Sequence, residues 1–158
     1  MNDDDLNHLR RCIALAGDAA AAGDGAFGSV LVSGSGDVLA EDRNRETSTG
    51  DPTAHPEFAL ARWAAMNLSP EECAAATVYT SGEHCPMCSA AHGWAGIGRI
   101  VYVQSAAQLQ WWRYGDNPPA GPVAALPIQQ VAPLVRVEGP VPELLDEIRA
   151  LHPRRVAE

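Results

Sequence analysis

Apolar residues recur at helical spacing over residues 3–22, where Leu6, Leu9, Ile13, Leu15 and Ala16 fall on one side of a predicted amphipathic helix. The pattern changes at "GDGAFGSVLV". Gly23, Gly25 and Gly28 end the helix and open a strand through Phe27, Val30 and Val32. "SGSGD" at 33–37 reads as a hairpin turn into a second strand, "VLAEDRN". "RETSTGDPTA" is polar and rich in turn residues, which predicts a surface loop. A helix follows from His55 to Asn67, with Phe58, Leu60, Ala61, Trp63 and Ala64 available to pack. Ser69, Pro70, Glu71 and Glu72 form the cap, first position and acidic first turn of a short helical turn. "AATVYTS" reads as a buried strand, Cys85 or Pro86 to Ala95 as a core helix, and "RIVYV" at 99–103 as another strand. "SAAQLQWWRYG" looks helical, "DNPPAGPVAALP" is a Pro-rich loop, "LVRV" is the last strand, and 141–151 is a C-terminal helix. The order α-β-β-α-β-α-β-α-β-α predicts an α/β domain with a central sheet and helices on its faces.

Neither a repeat nor a linker interrupts the pattern, and 158 residues suit one domain, 1–158, with one sizeable core. No apolar run approaches the roughly 20 residues of a membrane span. "MNDDDLNHLRR" is too acidic and polar for a signal peptide, so a cytoplasmic protein is expected. Cys12, Cys73, Cys85 and Cys88 are then not a disulfide framework. Net charge is −9 and all eleven basic residues are Arg, which argues against a nucleic-acid binder and for a small uncharged or cationic ligand.

The candidate chemistry lies in two stretches. In "SGEHCPMCSAAHGW", Cys85 and Cys88 sit at a predicted helix start, where unpaired amides favour thiolates and i, i+3 spacing shares a face. A redox pair and half of a zinc site both fit this stretch alone. Upstream, "DPTAHPEFALARW" delivers His55 to another helix start. His55, Cys85 and Cys88 would give three ligands with a fourth position left for water, the arrangement of a catalytic zinc. Glu57 would face that water and pass its proton to a leaving amine.

His-x-Glu followed by Cys-x-x-Cys after a strand resembles the zinc-dependent cytidine deaminase superfamily. "DPTAHPE" and "YTSGEHCPMC" look like its guanine deaminase and tRNA adenosine deaminase branch. "AFGSVLV" is similar to that branch's pocket strand, and "EDRNRE" places Asn44 where the family has a base-binding Asn. The resemblance covers residues 6–104 well and the rest weakly. It implies one zinc per chain on His55, Cys85 and Cys88, with Glu57 as proton shuttle, Asn44 bonding the base and Phe27 packing on its face. It also implies a three-layer α/β/α sandwich around a five-stranded mixed sheet, a small-molecule substrate, and a homodimer whose pocket or contacts residues 105–158 complete.

This sequence departs from the common pattern at His84, where Pro is usual, at Pro56, and at Gly82, where close relatives often have Cys. The ligands and shuttle are untouched; the pocket beside them is not. Ala54, His84, Trp112, Asp116 and Glu138 are further candidates for substrate contact. His84 either lines the pocket or caps the helix. Trp111 and Trp112 cannot share a helical face, so one packs inward, the favoured role for Trp112, and the other meets a ligand or partner. His92 reads as a packed helix residue in preference to a fourth ligand, which would close the site. Cys12 and Cys73 read as core residues, Arg43 and Arg45 as surface charges, and Trp94 with the Trp111–Trp112 pair as interface anchors.

The expected function is hydrolytic deamination of a small nucleobase, nucleoside or related amino-heterocycle, of guanine, cytosine or aminotriazine type. A tRNA adenosine deaminase is the alternative, disfavoured by the acidic balance and by only two adjacent Arg in "HPRRVAE". A non-catalytic zinc-stabilised module comes third.

Overall fold

The computed structural model describes residues 1–153; Arg154 and Arg155 of the C-terminal "HPRRVAE" lie outside them. Helix α1 (Asp3–Ala21) starts with a reciprocal cap in which Asn2 Oδ1 accepts from Asp5 N and Asp5 Oδ2 accepts from Asn2 N, both at 2.8 Å. The hairpin of β1 (Gly28–Val32) and β2 (Val38–Arg43) follows. After a four-residue helix, α2 (Glu46–Thr49), come α3 (Pro56–Asn67) and the short α4 (Pro70–Ala75), each with Pro at its start, where a missing N–H costs nothing. Strand β3 (Thr77–Gly82), helix α5 (Pro86–Ala95) and strand β4 (Arg99–Gln104) form a crossover unit. The chain ends in α6 (Ala106–Tyr114), α7 (Ile128–Val131), β5 (Arg136–Glu138), a 3-10 turn (Pro142–Leu144) and α8 (Leu145–Arg149).

The sheet order is β2-β1-β3-β4-β5. Strand β1 is antiparallel to both neighbours, whereas β3, β4 and β5 run parallel, so the five-stranded sheet is mixed. Strand alternation divides its side chains. Val30, Val32, Tyr79, Val101 and Val103 pack with Leu9, Cys12 and Leu15 of α1 and with Leu144 and Ile148 near the C-terminus. On the other face Leu31 and Val78 meet Leu60, Ala61 and Ala64 of α3, Cys73 of α4 and Ile97, while Ile100 and Tyr102 meet Ile128 and Ala132. These are the three layers, and Cys12 and Cys73 are core residues as expected. Gly28 lets α1 seat on β1: a Cβ there would lie 2.4 Å from Leu15 Cβ and 2.5 Å from the Cys12 carbonyl.

On the α1 face a buried polar cluster ties helix to sheet. Tyr79 donates to Asp5 Oδ1 at 2.6 Å, Arg99 donates to the same oxygen at 2.9 Å, and Arg99 holds both Glu138 oxygens at 3.1 and 2.8 Å. Burial alone would raise the Asp5 pKa, but the Arg99 and Tyr79 donors outweigh it and lower it to about 2.

The sequence reading differs from the fold in short elements. Helix α2 falls in a stretch read as loop and α7 follows the Pro-rich loop in a stretch given no element, because four residues carry no period. The last strand begins at Arg136, since Leu134 turns fully into solvent. The C-terminal helix is a 3-10 turn and five α-helical residues, shorter than 141–151. Among the described residues no helix is long and apolar enough to cross a membrane.

Candidate metal centre and active site

Parallel strands β3 and β4 end together, and the starts of α3 and α5 meet there. His55 is the residue before α3 and Cys85 the residue before α5. Their backbones are extended, which projects both side chains across the gap between the two helix starts. Cys88, one turn into α5, completes a triangle. His55 Nδ1 lies 3.6 Å from Cys85 Sγ and 3.5 Å from Cys88 Sγ, and the two sulfurs are 3.6 Å apart. Among the described residues these are the three His, Cys or acidic side chains grouped closely enough to hold a metal ion. Thiolates at about 2.3 Å and an imidazole at about 2.1 Å around a tetrahedral zinc would stand about 3.8 Å (S–S) and about 3.6 Å (S–N) apart. The triangle fits that geometry and leaves one position open.

The Cys85 contact pushes His55 up to about 9, and the hydrogen bond with Cys88, with further help from His55, lowers Cys85 to about 4. Cys88, beside the Cys85 sulfur and buried, is pushed up instead. Binding of a metal ion would displace protons from these donors.

Glu57, buried on the first turn of α3, approaches the triangle with Oε2 3.8 Å from Cys88 Sγ. Its other oxygen, Oε1, accepts from Thr80 Oγ1 at 3.0 Å and lies 3.3 Å from Ser29 Oγ. Ser29 and Thr80 are register partners across β1 and β3, so their hydroxyls stand side by side, 2.9 Å apart. Burial raises the Glu57 pKa despite these donors. The arrangement fixes one oxygen and leaves the other facing the donors.

A cavity of about 210 Å³ opens beside this group, lined by Phe27, Asn44, His55, Glu57, Gly82, Glu83, Cys85, Gln104, Leu109 and Val123–Ala125, among others. Phe27 and Asn44 both line this cavity. Both ends of the Asn44 amide are already engaged: Nδ2 donates to Glu46 Oε2 at 2.6 Å, and Oδ1 accepts from Glu46 N at 3.0 Å.

Five other candidates stand elsewhere. His84 neither lines the cavity nor caps α5; it is buried with Nε2 3.2 Å from His92 Nδ1, beneath the cysteine-bearing turn, and burial drives its pKa well down. His92 is likewise a packed helix residue. Ala54 sits outside the cavity, where its carbonyl accepts from Arg45 N. Trp112 packs against the α1-side core with Arg149 over its ring. Asp116 is exposed beyond α6. Glu138 is consumed by Arg99 and Arg136, because the edge strand β5 places it beside Val101, halfway along β4 and away from the cavity at the strand ends.

Several residues the sequence reading passed over now matter. Glu46 Oε1 lies 3.5 Å from His55 Nε2, so it faces the nitrogen left over when Nδ1 binds a metal. Glu83 accepts from Ala106 N at 2.9 Å and Ile128 N at 3.0 Å, anchoring the starts of α6 and α7 to the cavity rim. Ser29 and Thr80 required the strand register. Glu46 and Glu83 had a weak local signal, each lying within two residues of a candidate.

The pattern over residues 2–104 matches the cytidine and deoxycytidylate deaminase zinc-binding region. The chain is 39% identical over 101 residues to a guanine deaminase of Bacillus subtilis (61% of this chain), and that match spans 64% of the Bacillus protein, just under two thirds. It is 31% identical over 152 residues to a probable cytosine deaminase of Schizosaccharomyces pombe, covering 90% of this chain and 91% of the relative. The guanine deaminase structure from Nitrosomonas europaea shares the fold, with a TM-score of 0.65 at 20% identity over 91% of this chain and 80% of that one.

Proposed function

The chain belongs to the family of the cytidine and deoxycytidylate deaminase zinc-binding region, and we propose that it hydrolyses the amino group from a small nucleobase or related amino-heterocycle, releasing ammonia. The observation that carries this reading is the buried Glu57 carboxylate. It is clamped through Oε1 by Ser29 and Thr80, beside an open three-donor triangle, at the wall of a cavity of heterocycle size. A closed structural site would leave such a carboxylate without a task.

His55, Cys85 and Cys88 would hold one zinc, which when bound supplies the Lewis acidity that makes water a nucleophile near neutral pH. Glu57 Oε2 takes a proton from the attacking water and hands it to the ring nitrogen, then takes the remaining hydroxyl proton of the addition product and delivers it to the amine, so that the C–N bond breaks, a carbonyl forms and ammonia leaves. Burial, which raises the Glu57 pKa, makes it a stronger base than a solvated carboxylate. Phe27 stacks on the ring. Asn44 bonds the ring edge after exchanging a contact with Glu46, and Glu46 orients His55. The acidic net charge and the small cavity favour a free heterocycle over a base held in tRNA.

A second copy of the chain is proposed to cover Trp94, 91% exposed on α5, and Trp111 on α6. Light scattering that reports a monomer at micromolar concentration would remove that part. The activity is tested by ammonia release from guanine, guanosine, adenine, cytosine, cytidine and aminotriazines. Release from one of these ring types, abolished by Glu57→Gln, supports the reading, and no release from any of them contradicts it.

A further inference from the structure

One segment of chain builds the far side of the cavity, and one side chain holds both of its ends. Leu109 and Gln110 of α6 and Val123, Ala124 and Ala125 of the Pro-rich loop line the same cavity as Glu57. They lie between Ala106, the first residue of α6, and Ile128, the first residue of α7. Glu83, in the turn between β3 and α5, accepts from Ala106 N through Oε2 at 2.9 Å and from Ile128 N through Oε1 at 3.0 Å. Its own backbone is tied to the sheet, with Glu83 N donating to the Gln104 carbonyl at 2.8 Å.

Both contacts are to backbone N–H groups, which can only donate. A carboxylate offers an acceptor at each oxygen. A carboxamide offers one, and would turn its NH2 group towards the second amide. Between the two anchors, loop 116–127 has one backbone hydrogen bond within it among the described residues, Leu126 N to the Ala124 carbonyl at 2.9 Å, and residues 116–126 are exposed. The wall residues are the ones nearest the anchors. Leu109 and Gln110 follow Ala106 within four residues, and Val123, Ala124 and Ala125 precede Ile128 within five. Their position against the cavity is therefore set at Glu83.

We propose that Glu83 is a positioning residue for substrate selection: by pinning both ends of segment 106–128 it holds an apolar wall against the cavity, which admits a bare amino-heterocycle and rejects the corresponding nucleoside. The chemistry of the wall decides the class. Four of its five side chains are hydrocarbon, and Gln110 is the exception. A planar ring can turn its polar edge to Asn44 and Glu57 and its remaining surface to hydrocarbon. A ribose carries hydroxyl groups around its whole rim, and a hydroxyl buried against hydrocarbon without a partner costs free energy. With both anchors in place the wall cannot swing aside to return those hydroxyls to water.

The proposal rests on the deaminase reading for its substrate class but not for the anchoring, and the experiment separates the two. Full-length, zinc-loaded wild type, Glu83→Gln and Glu83→Ala are compared by hydrogen exchange with mass spectrometry. Peptides covering 106–128 should exchange faster in Glu83→Gln, which keeps one acceptor, and faster still in Glu83→Ala, while those of α1 and α3 stay unchanged. Unaltered exchange over 106–128 overturns the anchoring. Selection is read by calorimetry in a Glu57→Gln background, for guanine against guanosine and cytosine against cytidine. The base of the pair that binds should be favoured by about tenfold or more, and the ratio should fall towards one when either Glu83 variant is added. In the active protein the change should appear in KM more than in kcat. Val123→Ser with Ala125→Ser, which gives the wall hydroxyls and leaves Glu83 in place, should lower the ratio without speeding exchange, and it keeps the selection testable if the Glu83 variants do not fold. A nucleoside bound as tightly as its base, no binding of either base, or a ratio unmoved by every variant overturns the proposal. Absence of ammonia from all four compounds, with the binding ratio as expected, would sink the deaminase reading alone.

Discussion

Asp5 and Glu57 are both buried carboxylates reached from adjacent residues of the same strand, yet the protein treats them in opposite ways. Tyr79 points to the α1 face and donates to Asp5; Thr80 points to the other face and donates to Glu57. Asp5 also receives Arg99 and the amide of Asn2, and its pKa falls to about 2. Glu57 has no arginine; burial outweighs its backbone hydrogen bond, the nearby His55 and the Thr80 hydroxyl, and its pKa rises. A fully paired carboxylate holds a fold together. One left with a free oxygen and a desolvated charge is poised to take a proton, at a cost in stability.

The strongest way to break this contrast is to neutralise each group without changing its shape. Glu57→Gln should lower ammonia release by about 10⁴-fold or more while zinc content, measured by metal analysis, stays at one per chain. Loss of zinc would make Glu57 a ligand and end the open-site argument. Asp5→Asn should instead leave turnover per folded molecule unchanged and destabilise the protein by about 3 kcal/mol in urea unfolding, the low end for removing one partner of a buried ion pair.

Acid titration sharpens the same comparison. Because the folded pKa of Asp5 is depressed, its contribution of about 2 kcal/mol is fully present above its ordinary value of 3.8 and is lost as pH falls towards about 2. Glu57 has the opposite sign. Its raised pKa penalises the metal-free fold at neutral pH, and the penalty fades on acidification towards its ordinary 4.5. Urea titrations of metal-free protein should therefore show a stability-versus-pH curve whose low-pH slope is reduced in Asp5→Asn, the remainder coming from Asp24, Glu41, Asp51, Glu72 and Glu138, whereas Glu57→Gln keeps the full slope.

The smallest effects come from the neighbouring hydroxyls. Tyr79→Phe should cost about 1 kcal/mol of stability with kcat unchanged. Thr80→Val should leave stability nearly unaltered and lower kcat about tenfold, the size of one lost hydrogen bond. Equal behaviour of the two variants would erase the distinction between the faces.

What the sequence made legible follows the range of each signal. His55, Glu57, Cys85 and Cys88 lie in two short stretches at helix starts, where spacing alone sets direction, and the long elements α1, α3, β3, α5 and β4 carry clear periods. Asn44 and Phe27 came from a resemblance covering the same region. Ser29 and Thr80 became visible only with the register of β1 and β3. Gln104 and His152 meet across 48 residues of chain that include a Pro-rich loop without period. Glu138 was misplaced because β5 is three residues long, too short for alternation to show which cation it meets. His84 sits one residue before Cys85, yet the turn before α5 aims it into the core.

The position of His152 behind Phe27 and Gln104 bears on how the molecule is made. Protein chains emerge from the ribosome N-terminus first, at about 5–20 residues per second, so the roughly sixty residues between Cys88 and His152 take about 3–12 s to synthesise. Strands β1 and β3, the start of α3 and the first turn of α5 are all available before β4, β5 and α8 exist. A nascent chain therefore holds His55, Cys85 and Cys88 while Gln104 and the rest of the cavity wall from β4 onward are still being translated. The donor triangle is translated first and the far side of the cavity last.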